Sequence, residues 1–120
     1  MNEFDNRSLS DAEMYFWLCQ MARQLDEAAV IVNIKKGCTI DFVNHVFSRM
    51  TEYSEFDMHG ATLAKLHGPS SDLLNEDAIQ ESIENGLTFK TSSLHYRKDG
   101  SAFWNEVNNL PMRNQLGELQ

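Results

Sequence analysis

Two long strand-like segments joined by a glycine turn constrain the fold of this chain more than any other feature. Leu87 to Arg97 and Ser101 to Met112 flank the tripeptide Lys98-Asp99-Gly100. Because Asp-Gly favours a tight hairpin turn, these segments predict an antiparallel pair of strands. Pro111 cannot donate to a strand ladder and is therefore expected near a strand end.

An amphipathic helix is predicted near the N-terminus. Ser10-Asp11-Ala12-Glu13 has the capping-box pattern. An apolar stripe at helical spacing follows, and it consists of Met14, Trp17, Leu18, Met21 and Leu25. We expect the stripe to cover the domain and a homodimer interface to form from Tyr15, Phe16, Trp17 and Met21. The alternative is a single packed helix with a wide apolar face.

The remaining elements alternate between short strands and helices. Ala28 to Ile34 and Cys38 to Val43 predict a hairpin around Gly37, and the predicted helix caps are Asn44, Ser54 and Asn75. Ala61 to Leu66 predicts a further short helix, and Gly86 ends the longest one. Segregated strands and helices predict an α+β domain with an antiparallel sheet and short helices on one face.

Composition and motifs exclude several function classes. A net charge of −8 argues against a nucleic-acid surface. Cys19 and Cys38 match no metal or redox spacing, and no apolar run is long enough to span a membrane. With no secretion signal, a cytoplasmic location is expected. The sequence contains no recognised catalytic motif, so we expect a non-catalytic domain.

Several short motifs follow one another in order along the chain. They are Phe42-Val43-Asn44 leading into Phe47, Met50 to Ser54 followed by Gly60, Tyr96 to Ser101, Phe103-Trp104-Asn105, and Leu110-Pro111-Met112. From Ala29 to Gln120, they resemble the PAS family of sensory domains. The resemblance implies a five-stranded antiparallel sheet, with the fifth strand between the first and fourth, and a role in signal transduction.

Within that family the chain is most similar to the light-oxygen-voltage branch. His67-Gly68-Pro69-Ser70-Ser71-Asp72 is similar to the branch's Gln-Gly-Pro-x-Thr-Asp motif. The branch's flavin photochemistry depends on a cysteine at the position that Leu63 occupies here. Ala64 replaces an arginine that helps to hold the flavin phosphate. Because leucine cannot form a thioether with a flavin, we expect adduct photochemistry to be absent and flavin binding to be disfavoured.

A ligand pocket is predicted from the resemblance and from strand alternation. The resemblance implies that Asn105 points inward, and side-chain alternation along the strand then places Phe103, Val107 and Asn109 on the same face. His95, Ser93 and Thr91 share the matching face of the preceding strand. The predicted ligand-binding residues are His95, Asn105, Val107, Asn109, Ser93, Leu63, Phe47, Leu66 and His67. A mostly apolar pocket with a few polar groups suits a small molecule, whose identity the sequence leaves unknown.

Alternatives remain at this site. A buried His95 can belong to a polar core that is already hydrogen-bonded, or it can titrate near neutral pH. The resemblance would place a haem ligand on the helix from Asn75 to Asn85, and because that helix contains no histidine, haem is not expected. Zinc is not expected either, because the histidines are scattered.

The sequence thus predicts a sensory module in two parts. Residues 1–27 form a lead-in and helix, and residues 28–120 form the PAS-like domain, whose final strand begins where the chain stops. We expect Met1 to Arg7 or a neighbouring chain to fill that strand's place. The domain would relay ligand binding to a C-terminal output domain such as a diguanylate cyclase or histidine kinase. The alternative is a ligand-free dimerisation module.

Overall fold

A computed structural model describes residues 11–111 of the 120-residue chain, and it confirms the α+β class. The elements in chain order are α1 Asp11–Arg23, β1 Val30–Asn33, β2 Thr39–Val43, α2 His45–Thr51, α3 Glu55–Met58, α4 Leu73–Glu84, β3 Phe89–Tyr96 and β4 Ala102–Asn109. Two 3₁₀ helices, Ile34–Lys36 and Leu63–Leu66, complete the described chain. The predicted capping residue Ser10 and the predicted strand after Met112 lie outside the described residues.

The first hairpin pairs β1 with β2 in antiparallel register. Val30 lies opposite Val43, and a register shift between Ile31 and Val32 puts Val32 opposite Ile40. The connection is a 3₁₀ helix capped by Asn33 and ended by Gly37 at φ 75°. Strand β1 is shorter than predicted because Ile34 already belongs to that helix.

One face of this hairpin carries the main core. Ile40 and Met58 are completely buried, and with Val43, Phe47 and Leu66 they form one apolar cluster. Helices α2 and α3 and the second 3₁₀ helix each contribute one of these side chains. The short helices therefore cover a single face of β1–β2, as predicted.

The opposite face of the hairpin packs against α1. Cys19 and Ala22 are buried against Phe42, with Ala29 and Ile31 at the edge of the cluster. The prediction that the apolar stripe covers the domain is therefore wrong for most of that stripe. Small side chains approach the sheet closely, whereas the larger stripe residues Trp17, Met21 and Leu25 remain exposed.

Asparagine and serine caps begin the two short helices. Asn44 Oδ1 accepts a hydrogen bond from Phe47 N at 3.0 Å, which confirms its predicted role at the start of α2. Ser54 and Asp57 form a reciprocal capping box at the start of α3. Lys98 Nζ lies 3.0 Å from Asp57 Oδ2. The hydrogen bond from the Ser54 N–H, followed by the one from Lys98, lowers the pKa of Asp57 to about 2.

The second hairpin pairs β3 with β4 in unbroken register from Phe89 opposite Asn109 to Tyr96 opposite Ala102. Gly100 takes φ 90° in the turn, as the predicted Asp-Gly hairpin requires. Both strands are shorter than predicted. Leu87 N donates to Ser82 O at 2.9 Å in the turn that ends α4, so Leu87 is not part of β3. Pro111 lies beyond the last ladder residue, as expected.

The cap of α4 lies three residues before the predicted one. Asp72, not Asn75, is the cap, and its side chain accepts from the backbone N–H groups of Leu74 and Asn75. The negative carboxylate satisfies two free donors at the positive end of the helix. Ile79 and Ile83 then turn toward Cys38 in a third cluster that also includes Val107.

The described strands form two separate two-stranded sheets, β1–β2 and β3–β4. Ile79 and Ile83 of α4 join them, because their cluster includes Val32 from the first sheet and Phe89 from the second. The predicted fifth strand, and the segment expected to fill its place, fall outside residues 11–111. Both stay predictions.

Candidate functional site

A buried carboxylate lies at the centre of a polar cluster between α4 and the β3–β4 sheet. Glu76 is 6% exposed and projects from the first half of α4 toward β3. Its Oε1 accepts hydrogen bonds from Ser93 Oγ and from His95 Nε2, the latter at 2.9 Å. Its Oε2 lies 3.2 Å from His67 Nε2. Glu76 therefore joins α4 to β3 and to the residue that ends the second 3₁₀ helix.

The imidazole of His95 extends this cluster to β4. Asn105 Nδ2 lies 3.0 Å from His95 Nδ1. Because a carboxylate only accepts hydrogen bonds, Nε2 must carry the proton, and the neutral ring accepts at Nδ1. Burial lowers the pKa of His95, although the nearby Glu76 opposes that shift and His67 adds to it. The arrangement thus holds a neutral histidine between a carboxylate and an amide.

Four of the predicted ligand-binding residues therefore meet: His67, Ser93, His95 and Asn105. Their roles toward a ligand stay a prediction. Side chains alternate along β4 as expected, with Phe103, Asn105, Val107 and Asn109 half-buried and the residues between them exposed.

The other predicted site residues lie apart from this cluster. Asn109 Nδ2 donates to the Leu87 carbonyl at 2.9 Å and lies 3.3 Å from Ser82 Oγ, at the far end of α4. Leu63 is partly buried and touches both the main core and the Cys38 cluster, which also contains Val107. Phe47 and Leu66 belong to the main core. The candidate site is thus a strip with polar groups at both ends and Val107 between them.

The predicted site residues do not include Glu76, because an acidic residue in the first turn of a helix can be interpreted simply as favourable charge at the helix N-terminus. That interpretation suits Asp77, which is exposed, whereas Glu76 is buried. Glu76, Ile79 and Ile83 follow at three- and four-residue spacing, so they share one face of α4. Extending the apolar face formed by Ile79 and Ile83 back by one helical turn would have indicated that Glu76 faces the sheet.

The predicted dimer residues all lie on the surface of α1. Phe16 is 53% exposed, Trp17 49% and Met21 64%, and the rings of Phe16 and Trp17 pack edge to face. Tyr15 is less exposed, and its hydroxyl donates to the Asp41 carbonyl at 3.2 Å. Tyr15 therefore helps to fix α1 on its own hairpin. Dimerisation itself stays a prediction.

Within residues 11–111, no three histidine, cysteine or carboxylate side chains are grouped so that they could hold a metal ion. In the same part of the chain, no helix is both long and apolar enough to cross a membrane.

Comparison with known proteins identifies the family. A family model described as "PAS domain" matches residues 26–120. The chain belongs to the PAS family. Domains of this family are sensory modules, which agrees with the predicted signalling role of a non-catalytic domain.

Two curated relatives and one solved structure extend this result. Over 85 residues, the PAS domain is 33% identical to phototropin-2 of Oryza sativa subsp. japonica, covering 71% of the chain and 9% of the relative. Over 80 residues, it is 30% identical to a blue-light-activated histidine kinase of Brucella anthropi, covering 67% and 16%. A structure reported as "Flavin Analogue Sheds Light on Light-Oxygen-Voltage Domain Mechanism" superimposes with a TM-score of 0.78, at 25% identity, covering 88% of this chain and 79% of that one. The chain thus spans less than one fifth of each of these curated relatives.

The expectation that flavin is disfavoured is wrong, because the similar solved structure is reported as a light-oxygen-voltage domain studied with a flavin analogue, and one curated relative is a blue-light-activated histidine kinase. That expectation rested on the residues that replace the branch's cysteine motif, chiefly Leu63 and Ala64. A thiol is required to bond covalently to a flavin, not to hold one. A missing arginine removes one phosphate contact and leaves the contacts to the ring. These relatives also do not favour the alternative of a ligand-free dimerisation module.

The donor set of this PAS domain fits a flavin ring. Such a ring needs apolar walls and a few side chains that can both donate and accept at its polar edge. Asn105 and Asn109 supply two amides on one face of β4, with Val107 between them. Leu63 and Ile79 provide apolar surface in the cluster that includes Val107.

Proposed function

We propose that this PAS domain senses light or redox state through a flavin bound between α4 and the β3–β4 sheet. The observation that carries the proposal is the row of half-buried side chains Asn105, Val107 and Asn109, on the face of β4 that packs against α4, in a chain similar to a light-oxygen-voltage domain. When bound, a flavin supplies blue-light absorption and redox chemistry. The protein's own residues bind and orient it.

Each group of residues has a separate task in this proposal. Asn105 and Asn109 exchange hydrogen bonds with the polar edge of the ring, and Val107 contacts its face. Leu63 and the isoleucines of α4 exclude water from the apolar side. The Glu76–His95 pair holds α4 against β3, so a ligand that alters this pair changes how the helix packs on the sheet.

We further propose that the signal passes to a C-terminal histidine kinase in the cytoplasm. Support comes from the similarity to a blue-light-activated histidine kinase of Brucella anthropi. We propose that α1 takes part in a homodimer, because Phe16, Trp17 and Met21 present an exposed apolar surface. Exposed surfaces of this kind commonly mark protein contacts.

An absorption spectrum of the purified chain, with native mass spectrometry on the same sample, tests the ligand. We expect blue absorbance and a mass excess equal to one flavin, either as purified or after incubation with flavin mononucleotide. A colourless protein whose mass stays that of the polypeptide after incubation would contradict the proposal.

Two neighbouring asparagine positions provide a matched variant and control. Asn105→Ala removes an amide that faces α4, whereas Asn108→Ala removes one on the exposed face of the same strand. We expect the first variant to lose flavin affinity about tenfold, because one hydrogen bond to a buried ligand contributes about 1.5 kcal/mol. The second variant should bind like the native chain. Equal affinities for the two variants would place the ligand elsewhere.

A further inference from the structure

The hydrogen bonds of His95 determine the orientation of the Asn105 amide. The Glu76 carboxylate requires a donor at 2.9 Å, so Nε2 of the neutral ring carries the hydrogen. Nδ1 is then an acceptor, and Asn105 must turn its NH₂ group toward it, at 3.0 Å. The amide oxygen of Asn105 consequently points away from His95, on the half-buried side of β4 that faces α4.

Protonation of His95 reverses this arrangement. A charged imidazole donates from both nitrogens, so Nδ1–H and the Asn105 NH₂ group would be two donors facing each other. Rotation of the amide by half a turn replaces that clash with a hydrogen bond to Oδ1. The other end of the amide then presents NH₂ instead of oxygen. The hydrogen-bonding character offered to a ligand is thereby inverted without any backbone movement.

The groups around His95 fix which protonation state is favoured. Glu76 from α4 favours the charged ring, and His67 at the end of the second 3₁₀ helix opposes it. On the β4 side, Phe103 meets the imidazole edge to face, with ring centroids 6.3 Å apart. The Arg97 guanidinium covers Phe103 at 4.7 Å from its centroid. Burial of the ring has the largest effect and lowers the pKa of His95, so the neutral ring is favoured at neutral pH.

We propose that His95 is a specificity-determining residue, whose protonation state selects whether Asn105 offers a ligand an acceptor oxygen or a donor nitrogen. The consequence for flavin rests on the proposed function. Oxidised flavin carries a single ring N–H, so the neutral state of His95, with the Asn105 oxygen turned outward, is the one that accepts from it.

NMR of the ligand-free 120-residue chain tests the coupling directly. Imidazole ¹⁵N shifts of His95 should show the Nε2–H tautomer at pH 8. On acidification within the folded range, the Asn105 side-chain amide signals should shift with the same midpoint as His95. An Nδ1–H tautomer, a His95 that stays neutral until the chain unfolds, or amide signals that do not follow His95 would each overturn the proposal.

Two variants separate the coupling from a merely structural role. His95→Gln should abolish the pH-dependent shift of the Asn105 amide. His67→Gln should retain it, because His67 contacts Glu76 and not Asn105. Far-UV circular dichroism checks that each variant is folded. If His95→Gln does not fold, the titration of the native chain by itself tests the coupling between His95 and Asn105. Loss of the shift in both variants would contradict the assignment to His95.

Flavin mononucleotide binding on either side of the His95 midpoint tests the consequence for specificity. We expect about tenfold tighter binding when His95 is neutral, since one hydrogen bond is gained or lost. A coupled amide without flavin binding at any pH would refute the proposed flavin ligand but not the amide coupling. Flavin binding that is independent of pH while the amide titrates would refute the role in specificity.

Discussion

Replacement of Asn44 by alanine should destabilise the domain more than the loss of an ordinary helix cap. Asn44 is 1% exposed, and its Oδ1 accepts from both Phe47 N and Ala29 N at 3.0 Å. Its Nδ2 donates to the carbonyls of Ala22 at 3.0 Å and Glu27 at 2.8 Å. One side chain therefore ties the end of α1 and the start of β1 to the start of α2.

The expected loss follows from these four hydrogen bonds. The helix cap contributes about 1 kcal/mol. An unpaired N–H at Ala29 costs about 1–3 kcal/mol, and the two carbonyls each lose a partner. We therefore expect Asn44→Ala to lower the free energy of unfolding by about 3 kcal/mol, or more if no water replaces the amide.

Urea unfolding followed by circular dichroism measures this loss, and Asn33→Ala is the matched control. Asn33 also caps a helix through its side chain, with Lys36 N at 3.2 Å, and bonds to Asp41 Oδ2 in a more exposed setting. Its replacement should cost about 1 kcal/mol or less. Equal losses for the two variants would refute the argument that Asn44 joins three elements.

Three further predictions concern pH, assembly and packing. Because burial lowers the pKa of His95, the unfolded chain takes up a proton before the folded chain does as the pH decreases. Stability should therefore be greatest at pH values above the unfolded-state pKa of about 6.5 and decrease at lower pH. Urea titrations should show that His95→Gln removes part of this decrease. Trp17→Glu should dissociate a dimer in analytical ultracentrifugation and Gln24→Glu should not, and a native chain that is monomeric throughout would refute the interface. Gly68→Ala should cost about 1–3 kcal/mol in thermal unfolding, because the alanine Cβ would overlap the Tyr96 ring; an unchanged midpoint would show that the Tyr96 ring moves aside freely.

Local signals predicted the elements whose ends depend on neighbouring residues. The Asp-Gly turn before Ser101 and the caps at Asn44 and Ser54 are each satisfied within three residues, so the sequence contains most of what determines them. The family motifs then supplied the order of the elements and the face of β4 on which Asn105 lies. These signals were sufficient for the fold class and for the neighbourhood of His95 and Asn105.

Features that depend on distant partners were not predictable in the same way. The start of α4 was misplaced because Asp72 and Asn75 are both good caps, and only packing of the helix chooses between them. The prediction of the face by which α1 packs was wrong, because the small side chains of Cys19 and Ala22 allow a closer approach to the sheet than the large side chain of Trp17. Glu76 was missed because its partners come from residues 9, 17 and 19 positions away.

The shared bonds of Glu76 and His95 bear on how this domain can diverge among related sequences. Replacing His95 by an apolar residue leaves a buried carboxylate with fewer donors, and replacing Glu76 alone leaves the imidazole without its acceptor. Each single step is costly, because an unpaired buried charge or polar group destabilises a protein. The two positions should therefore change as a pair in evolution, with an intermediate that is less stable than either end, so an engineer who alters one should alter the other in the same step.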